Sequence, residues 1–356
     1  MPVAQERKSD SLASRLAVII INFRTPRMVV DCLETLAGEV EPGRDEVVVV
    51  DNESGDGSAG EIAAEIMRRG WDGWARVVEA GRNGGFSAGN NAGIRASDAE
   101  YYLLLNSDTL VRPGAVGELL RAAEALPRAG LIGPRLEFPD TTGQVSAFRV
   151  LTPLSQFERS VCMGVVSRIL RRHVVAMGLA DQPHRADWVS FACVLVRRSC
   201  LEKTGPMDEG MFMYFEDIDF ANRARRAGFE VWHWPLARVV HLRGGSSEVK
   251  RSTAARKRLP GYFYAARSRY LFREFGISGV IGGNLLWSVG SGLCWMISLL
   301  PGRSFGHPLK SWRDVWSFVA DTPAGKRGVF IEPDVEPLFA RSERAADAGD
   351  GHGRPT

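Results

Sequence analysis

The sequence predicts an α/β fold with a mostly parallel central sheet. Three short apolar runs support this prediction, at residues 16–21, 46–50 and 101–105. Each run has the length of a buried strand and stops at polar residues, and helix-like spacing of apolar residues lies between the runs. Strands that alternate with helices, with polar groups at the strand ends, are typical of a parallel sheet.

Composition limits the class of protein. The 356 residues could form one large domain or two smaller ones, and 45% apolar residues is ordinary for a globular protein. A formal charge of +3 is too small to indicate nucleic-acid binding. The five cysteines form no CxxC pair, which favours a reducing compartment over a disulfide framework or a zinc site. The polar segment 1–14 predicts a disordered N-terminus without a signal peptide.

Polar side chains follow the first two predicted strands. Asn22 ends the first strand, and Asp51 and Asn52 end the second. Farther on, residues 81–91 are rich in glycine, which would let backbone N–H groups approach a phosphate. This loop lacks the G-x-G-x-x-G spacing and does not follow the first strand, so a dinucleotide-binding dehydrogenase is disfavoured. A tight turn before a capped helix is the simpler interpretation.

Asp108 follows the third apolar run, directly after Asn106 and Ser107. Ligands of open α/β sheets bind at the carboxyl ends of the strands. A hard cation such as Mg²⁺ needs oxygen ligands and often bridges them to a substrate diphosphate. Asp108 is therefore a candidate metal ligand, although Asn106 and Asp108 could equally cap a turn.

Residues 188–198 predict a further strand, whereas residues 140–187 show no clear pattern. Glu216 and Asp217 stand near the start of a predicted helix, where the helix dipole favours their ionised form. Such a carboxylate can take a proton from an attacking hydroxyl, although capping is the more usual role. His241 ends a β-like run before a loop suited to phosphate, but a lone histidine is more often structural.

Together these motifs resemble the inverting glycosyltransferases of family 2 with the GT-A fold, and within them the bacterial rhamnosyltransferase branch. The resemblance covers residues 16–247. It implies a Rossmann-like nucleotide-diphospho-sugar transferase domain over residues 15–247. It also implies use of Mg²⁺ or Mn²⁺ and transfer of a sugar, L-rhamnose from dTDP-rhamnose, to a hydroxyl of a glycan or polyprenyl-linked glycan in cell-surface polysaccharide synthesis. UDP-sugars remain alternative donors.

The resemblance also assigns site residues through the segments that match the family motifs. Residues implied in donor binding are Asn22, Arg24, Asp51, Asn52, Asn83, Gly85, Phe86, Asn90, Asn106 and Ser107. Asp108 and His241 match the metal positions, and Asp217 matches the catalytic base. Residues implied on the acceptor side are Trp188, Asp208, Glu209 and Glu216. Phe191 replaces the first residue of a small pair in the family, which leaves the acceptor open.

The C-terminal third predicts contact with a membrane. Residues 243–275 carry nine Lys/Arg and two acids, a balance of +7, and residues 277–300 carry no charge. This combination suits an anionic cytoplasmic leaflet, so we expect a helical region over residues 248–320 at the inner face of the cell membrane. A buried helical hairpin over the catalytic domain is the alternative. The polar segment 321–356 predicts a disordered tail.

Two functions fit these patterns. The first is a sugar-nucleotide-dependent transferase, with a nucleotide-sugar donor, a glycan acceptor and the membrane surface as partners, and without nucleic acid. The second is a non-catalytic nucleotide-binding protein of the same fold in a membrane polysaccharide assembly complex. The joint presence of Asp108, Asp217 and His241 favours the enzyme. Homo-oligomerisation is open.

Overall fold

The computed structural model describes residues 14–243, 259–299, 313–316 and 337–339. The strands are β1 Ser14–Asn22, β2 Asp45–Asp51, β3 Ala75–Glu79, β4 Ala99–Asn106, β5 Thr109–Val111, β6 Ala129–Glu137, β7 Gly143–Gln144, β8 Ala147–Phe148, β9 His184–Arg185, β10 Trp188–Val189, β11 Cys193–Arg197 and β12 Glu230–His241. The helices are α1 Pro26–Leu36, α2 Ser58–Arg68, α3 Gly85–Arg95, α4 Ala115–Ala125, α5 Pro153–Val161, α6 Gly164–Ile169, α7 Arg198–Thr204, α8 Glu216–Arg226 and α9 Gly261–Ser298.

A ten-stranded sheet lies at the centre of the molecule. Its order is β3-β2-β1-β4-β11-β6-β12-β5, with β7 beside β6 and β9 beside β12. Strands β3, β2, β1 and β4 are mutually parallel, whereas β11 runs antiparallel to both β4 and β6. The predicted α/β fold with a mostly parallel sheet is therefore confirmed, including the strands around residues 16–21, 46–50 and 101–105.

Helices cover both faces of the sheet, because successive side chains of a strand point to opposite sides. In β1, Leu16, Val18 and Ile20 face a core that α1, α2 and α4 complete. Ala17 and Ile19 face a second core, to which α3, α7, α8 and the first half of α9 contribute. Near-continuous apolar strands are thus buried on both faces, as in other parallel sheets.

One predicted strand is two separate strands in the structure. Residues 188–198 were expected to form a single strand, but β10 pairs with β8 in a separate two-stranded sheet, and β11 joins the central sheet. Residues 190–192 break the strand between them. The break allows the chain to leave one sheet and enter the other, which an unbroken apolar run in the sequence does not reveal.

The C-terminal helix α9 has two halves that meet at Gly276, whose φ of 66° is not helical. The first half contributes Ala266, Tyr270 and Leu271 to the second core. In the second half, small or polar residues face the protein, whereas larger apolar residues point outward. The exposed residues of that outward face are Ile277, Ile281, Leu285, Val289, Trp295, Met296 and Leu299.

By length and composition α9 is long and apolar enough to cross a membrane, with a mean hydropathy of 1.4 over its most apolar window. Buried residues occur in both halves, among them Tyr270 in the first and Val280 in the second, so the alternative of a buried helical hairpin over the catalytic domain stays a prediction beside membrane contact. Residues 1–13, the loop at 244–247 and nearly all of the predicted tail at 321–356 lie outside the described residues, so the predictions for them, like the domain boundaries, stay predictions.

Candidate active site

The carboxyl ends of β1, β2 and β4 meet at one edge of the sheet. In the register of the sheet, Asn22 lies opposite Asp51, and Ile21 lies opposite Asn106. Asn22 is fully buried and its Nδ2 donates hydrogen bonds to Asp51 Oδ1 at 2.6 Å and to Ser58 Oγ at 2.8 Å. Asn22 therefore links the ends of β1 and β2 to the start of α2 beneath the site.

The glycine-rich loop forms one wall of the site. Asn52 Nδ2 donates to Asn83 Oδ1 and to the Gly85 carbonyl, each at 3.1 Å. Gly85 has a φ of 82°, and a Cβ there would lie 2.0 Å from the carbonyl oxygen of Phe212. Phe86 N donates to the same carbonyl at 2.7 Å. This wall is thus fastened to the segment that leads to α8, and only glycine fits at position 85.

Asp108 and His241 lie together on a second wall, although 133 residues separate them in the chain. Antiparallel pairing of β12 with β5 places His241 opposite Thr109. Its Nε2 is 3.5 Å from Asp108 Oδ1, and both side chains are buried. Neither ring nitrogen of His241 has a hydrogen-bond partner among the described residues. A buried polar group without a partner is costly, which indicates that this ring is placed for a ligand.

These two side chains fit a divalent cation only in part. Within the described residues, no group of three or more His, Cys, Asp and Glu side chains is arranged to hold a metal ion. A carboxylate and an imidazole supply two ligands, and Mg²⁺ or Mn²⁺ commonly completes its shell with substrate phosphates and water. The donor set therefore suits a cation that arrives with a diphosphate.

The helix start at Glu216 forms the third wall. Tyr214 and Phe215 precede it with φ of 72° and 71°, a strained conformation for non-glycine residues. Asp217 Oδ1 accepts a hydrogen bond from Ile218 N at 2.9 Å. Burial raises the pKa of Asp217 to about 7. Burial, and then the charge of Asp217, raises the pKa of Glu216 well above its usual range.

The first turn of α8 carries three acids, Glu216, Asp217 and Asp219, and their surroundings differ. Glu216 and Asp217 line the cavity, whereas Asp219 is buried away from it and pairs with Arg223 at 2.9 Å and Arg273 at 3.1 Å. Glu216 Oε2 has no hydrogen-bond partner among the described residues. Asp219 therefore stabilises the base of α8, and the two remaining acids are available to a ligand.

The three walls enclose a cavity of about 740 Å³. Ten of the sequence-predicted residues line it: Asn52, Asn83, Gly85, Phe86, Asn106, Ser107, Asp108, Glu216, Asp217 and His241. A volume of this size suits a substrate of nucleotide-sugar dimensions. The prediction thus names residues from five separate segments of the chain that the structure brings to one space.

Other predicted residues lie behind the walls. Arg24 donates to the Ser54 carbonyl, and Asn90 donates to the Phe86 carbonyl. Trp188 stacks on Phe148 with ring centroids 4.0 Å apart. None of these side chains lines the cavity, and neither do Asn22 and Asp51. Their predicted contacts with donor or acceptor stay predictions, and in the structure they support residues that do line it.

Asp208 and Glu209 also lie outside the cavity. Glu209 accepts from Asn91 Nδ2 at 3.0 Å and pairs with Arg82 and Arg95 on the side of α3. Asp208 pairs with arginines of α9. Both carboxylates therefore fasten the segment before α8, and their place on the acceptor side stays a prediction.

Several cavity residues were not predicted as site residues. They are Phe148, Arg159, Ser190, Phe212, Tyr214, Arg243 and Tyr262. Phe212 and Tyr214 belong to the family-like motif at residues 208–219, which also contains Glu216 and Asp217. That motif could therefore have indicated them. Arg159 lies in the segment 140–187, where the sequence shows no clear pattern. Phe191, noted as a departure from the family, also lines the cavity and contacts Phe220.

Comparison with known proteins indicates a glycosyltransferase. Residues 17–166 match the family described as glycosyl transferase family 2. The chain is 28% identical to the N-acetylglucosaminyl-diphospho-decaprenol L-rhamnosyltransferase of Mycobacterium tuberculosis, over 68% of this chain and 79% of that protein. It is 26% identical to the rhamnosyltransferase WbbL of Escherichia coli K12, over 52% of this chain and 72% of that protein.

Among solved structures, the fold is similar to that of the mannosyltransferase PcManGT from Pyrobaculum calidifontis in complex with GDP-Man and Mn²⁺. The TM-score is 0.51 and the identity 15%, over 90% of this chain and 85% of that one. This likeness supports the GT-A fold. Over residues 17–166 the chain is thus similar to glycosyltransferase family 2, and over a longer stretch to rhamnosyltransferases.

Proposed function

We propose that this protein is a metal-dependent inverting transferase that moves L-rhamnose from dTDP-L-rhamnose to a hydroxyl of a lipid-linked glycan. The observation that supports it most is that one cavity has Asp108 and His241 on one wall and the adjacent carboxyls of Glu216 and Asp217 on another. The donor and acceptor classes follow the names of the similar rhamnosyltransferases. UDP-sugars remain the alternative donors.

Asp108 and His241 would hold the cation, and the cation would offset the negative charge that develops on the leaving diphosphate. His241 Nε2 lies 3.5 Å from Asp108 Oδ1, so the two side chains could reach one cation. Asn52 and Asn83 offer amide groups on the neighbouring wall for the nucleotide.

Asp217 would act as the general base. Its carboxylate would take the proton of the acceptor hydroxyl while that oxygen bonds to the anomeric carbon and the bond from that carbon to the diphosphate oxygen breaks. Attack from the face opposite the leaving group inverts the anomeric centre in one displacement. A pKa of about 7 suits a base that works near neutral pH.

The alternative function, a non-catalytic nucleotide-binding protein, fits the third wall, with Glu216 and Asp217, less well. Two adjacent carboxyls with raised pKa values lower the stability of the fold once they ionise. A protein that only bound nucleotide would gain nothing from this cost. Perturbed acids in a cavity are typical of catalytic sites.

We also propose that the enzyme works at the cytoplasmic face of the membrane. The basic stretch with its balance of +7 precedes the outward apolar face of α9, and the two would contact anionic headgroups and acyl chains respectively. A lipid-linked acceptor would be reached from the same surface.

The test is donor turnover by the full-length protein in detergent. dTDP-L-rhamnose, a UDP-sugar and a GDP-sugar are incubated with Mn²⁺, Mg²⁺ or EDTA, and release of the nucleoside diphosphate is measured. We expect metal-dependent release from dTDP-L-rhamnose above the others. Binding of nucleotide without release from any donor, with or without a prenyl-linked glycan acceptor, would favour the non-catalytic alternative.

A further inference from the structure

Arg159 is a cationic side chain of the cavity that the mechanism leaves unused. It lies in the last turn of α5 and lines the same cavity as Asp217. The residue is exposed, and its guanidinium forms no hydrogen bond or ion pair with any of the residues that the structure describes. The neighbouring carboxylate, Glu158, is close enough for its charge to act on Arg159, and it accepts a hydrogen bond from Ser167 Oγ at 2.6 Å. Arg159 is therefore a positive charge directed at a space that binds ligand.

A second arginine increases the positive charge at this end of the cavity. Arg267 of α9 is buried and donates to Gln156 Oε1 at 3.0 Å and Asn284 Oδ1 at 2.6 Å, both neutral acceptors. It lies near enough to Arg159 for the two charges to repel each other. An anion placed beside Arg159 would relieve that repulsion and gain a charge-assisted hydrogen bond.

The donor diphosphate has a separate place in the cavity. Asp108 and His241, with the cation that they would hold, belong to the strand ends of the central sheet. Arg159 belongs to α5, whose main packing partner is α9. The anion that Arg159 attracts is therefore a second one.

An apolar surface adjoins this second position. α5 packs so closely on α9 that a Cβ at Gly290 would lie 2.0 Å from Ser160 Oγ, next to Arg159 in the chain. On α9, Leu285 and Val289 are 52% and 55% exposed, and Ile169 of α6 is 74% exposed. A cation beside exposed apolar helices suits an amphiphile with an anionic head.

We propose that Arg159 binds the phosphate of a lipid diphosphate acceptor, whose hydrocarbon chain lies along the outward faces of α9 and α6. The acceptor hydroxyl would then lie toward Asp217, inside the cavity, and the carrier lipid would stay at the membrane surface. This inference rests on the proposed transferase function and adds to it the residue that distinguishes a lipid-diphosphate acceptor from a free glycan.

The experiment uses the full-length protein in neutral detergent, with the donor site saturated by dTDP and Mn²⁺. Farnesyl diphosphate is the probe, and farnesol is its uncharged counterpart. Arg159→Gln and Arg159→Lys are compared with Arg171→Gln, an exposed arginine outside the cavity. Because a hydrogen bond to a charged group contributes about 1.5–3 kcal/mol, Arg159→Gln should weaken farnesyl diphosphate binding by at least ~10-fold.

The other arms separate the sources of phosphate. We expect Arg159→Lys to retain part of the affinity, Arg171→Gln to bind as wild type, and dTDP and farnesol binding to stay unchanged in every variant. Loss of dTDP affinity in Arg159→Gln would assign Arg159 to the donor and overturn the proposal, and so would unchanged farnesyl diphosphate affinity. A wild-type protein that binds no nucleotide would contradict the proposed function instead, whereas Arg159-dependent binding of the lipid diphosphate would still stand.

Discussion

Arg269 of α9 forms a two-point ion pair with Asp208, with Nε to Oδ2 at 2.7 Å and Nη2 to Oδ1 at 2.9 Å. Both side chains are almost completely buried, and Arg273 adds a third contact to Asp208 at 3.0 Å. The segment before α8, which leads to Asp217, is thereby fastened to the helix whose second half is outwardly apolar. The predicted membrane-contacting region and the cavity wall that carries Asp217 thus pack against each other.

Asp208→Ala should destabilise the fold strongly. Loss of one partner of a buried ion pair leaves the other charge unpaired and typically costs about 3–5 kcal/mol. The free energy of unfolding is measured by urea denaturation. Arg44→Ala, which removes an exposed ion pair with Glu41, serves as control and should cost at most about 1 kcal/mol. Equal effects of the two substitutions would show that the buried pair does not fasten the segment.

Gly85→Ala should impair nucleotide binding through a backbone clash. The added Cβ would lie 2.0 Å from the Phe212 carbonyl, so the loop and the segment before α8 must separate. Gly81→Ala is a matched control, since Gly81 also has a positive φ but has no atom within 4 Å of its Cβ position. Both variants share a backbone penalty of roughly 1–2 kcal/mol. We expect only Gly85→Ala to weaken dTDP affinity, by calorimetry, and parallel losses would contradict the clash.

Asp108→Ala should remove the metal-dependent part of nucleotide binding and leave the fold intact. The carboxylate lies beside His241 and is the expected anchor of the cation. dTDP affinity is measured by calorimetry with Mn²⁺ and with EDTA, and thermal unfolding checks the fold. Asp72→Ala, an exposed acid distant from the cavity residues, is the control. An Asp108→Ala protein whose dTDP affinity still rises with Mn²⁺ would exclude Asp108 as the metal ligand.

Asp217→Asn should reduce turnover by at least ~10²-fold, in line with the usual contribution of a general base, with donor affinity nearly unchanged. Glu216→Gln should cost less. Because a base must be ionised and burial raises the pKa of Asp217 to about 7, wild-type turnover should rise as the pH increases through about 7. Near-normal turnover of Asp217→Asn, or loss of donor binding instead, would refute the assignment.

The same pKa shift predicts a gain in stability for Asp217→Asn. The folded-state pKa lies above the unfolded value, so the folded protein binds more protons between them and loses stability as the pH rises through that interval. Above pH 7 the wild type bears the full loss of stability from ionising the buried Asp217 carboxyl, whereas the variant has no carboxyl to ionise. Asp217→Asn should therefore unfold at a higher temperature than wild type at pH 8, and at a similar temperature at pH 4.

Membrane association should depend on the outward face of α9. Full-length protein should sediment with anionic liposomes at low salt, and substitution of both Leu285 and Val289 by Glu should release it, because charges cannot enter the acyl region cheaply. Met67→Glu, an equally exposed apolar position on α2, should have no effect. The idea is wrong if wild type stays in the supernatant without detergent or if Met67→Glu matches the double variant.

The sequence by itself determined the parallel half of the sheet and the edge at which the site lies. Runs such as residues 16–21 and 47–50 are apolar throughout, and a strand buried on both faces accommodates them. Each run ends in polar residues, and strands that start together in register also end together. The positions of Asn52, Asn106 and Asp108 near one another therefore follow from local pattern, and the ordered motifs carry the resemblance to glycosyltransferase family 2.

Only the tertiary structure decided which distant side chains meet. The place of His241 beside Asp108 depends on the pairing of β12 with β5, and that of Arg159 in the cavity depends on the packing of α5 on α9. The partner of Asp208 is a helix that begins more than fifty residues later in the chain. A carboxylate has the same local signature whether it faces a substrate or a buried arginine, because long-range packing, not neighbouring sequence, sets its surroundings.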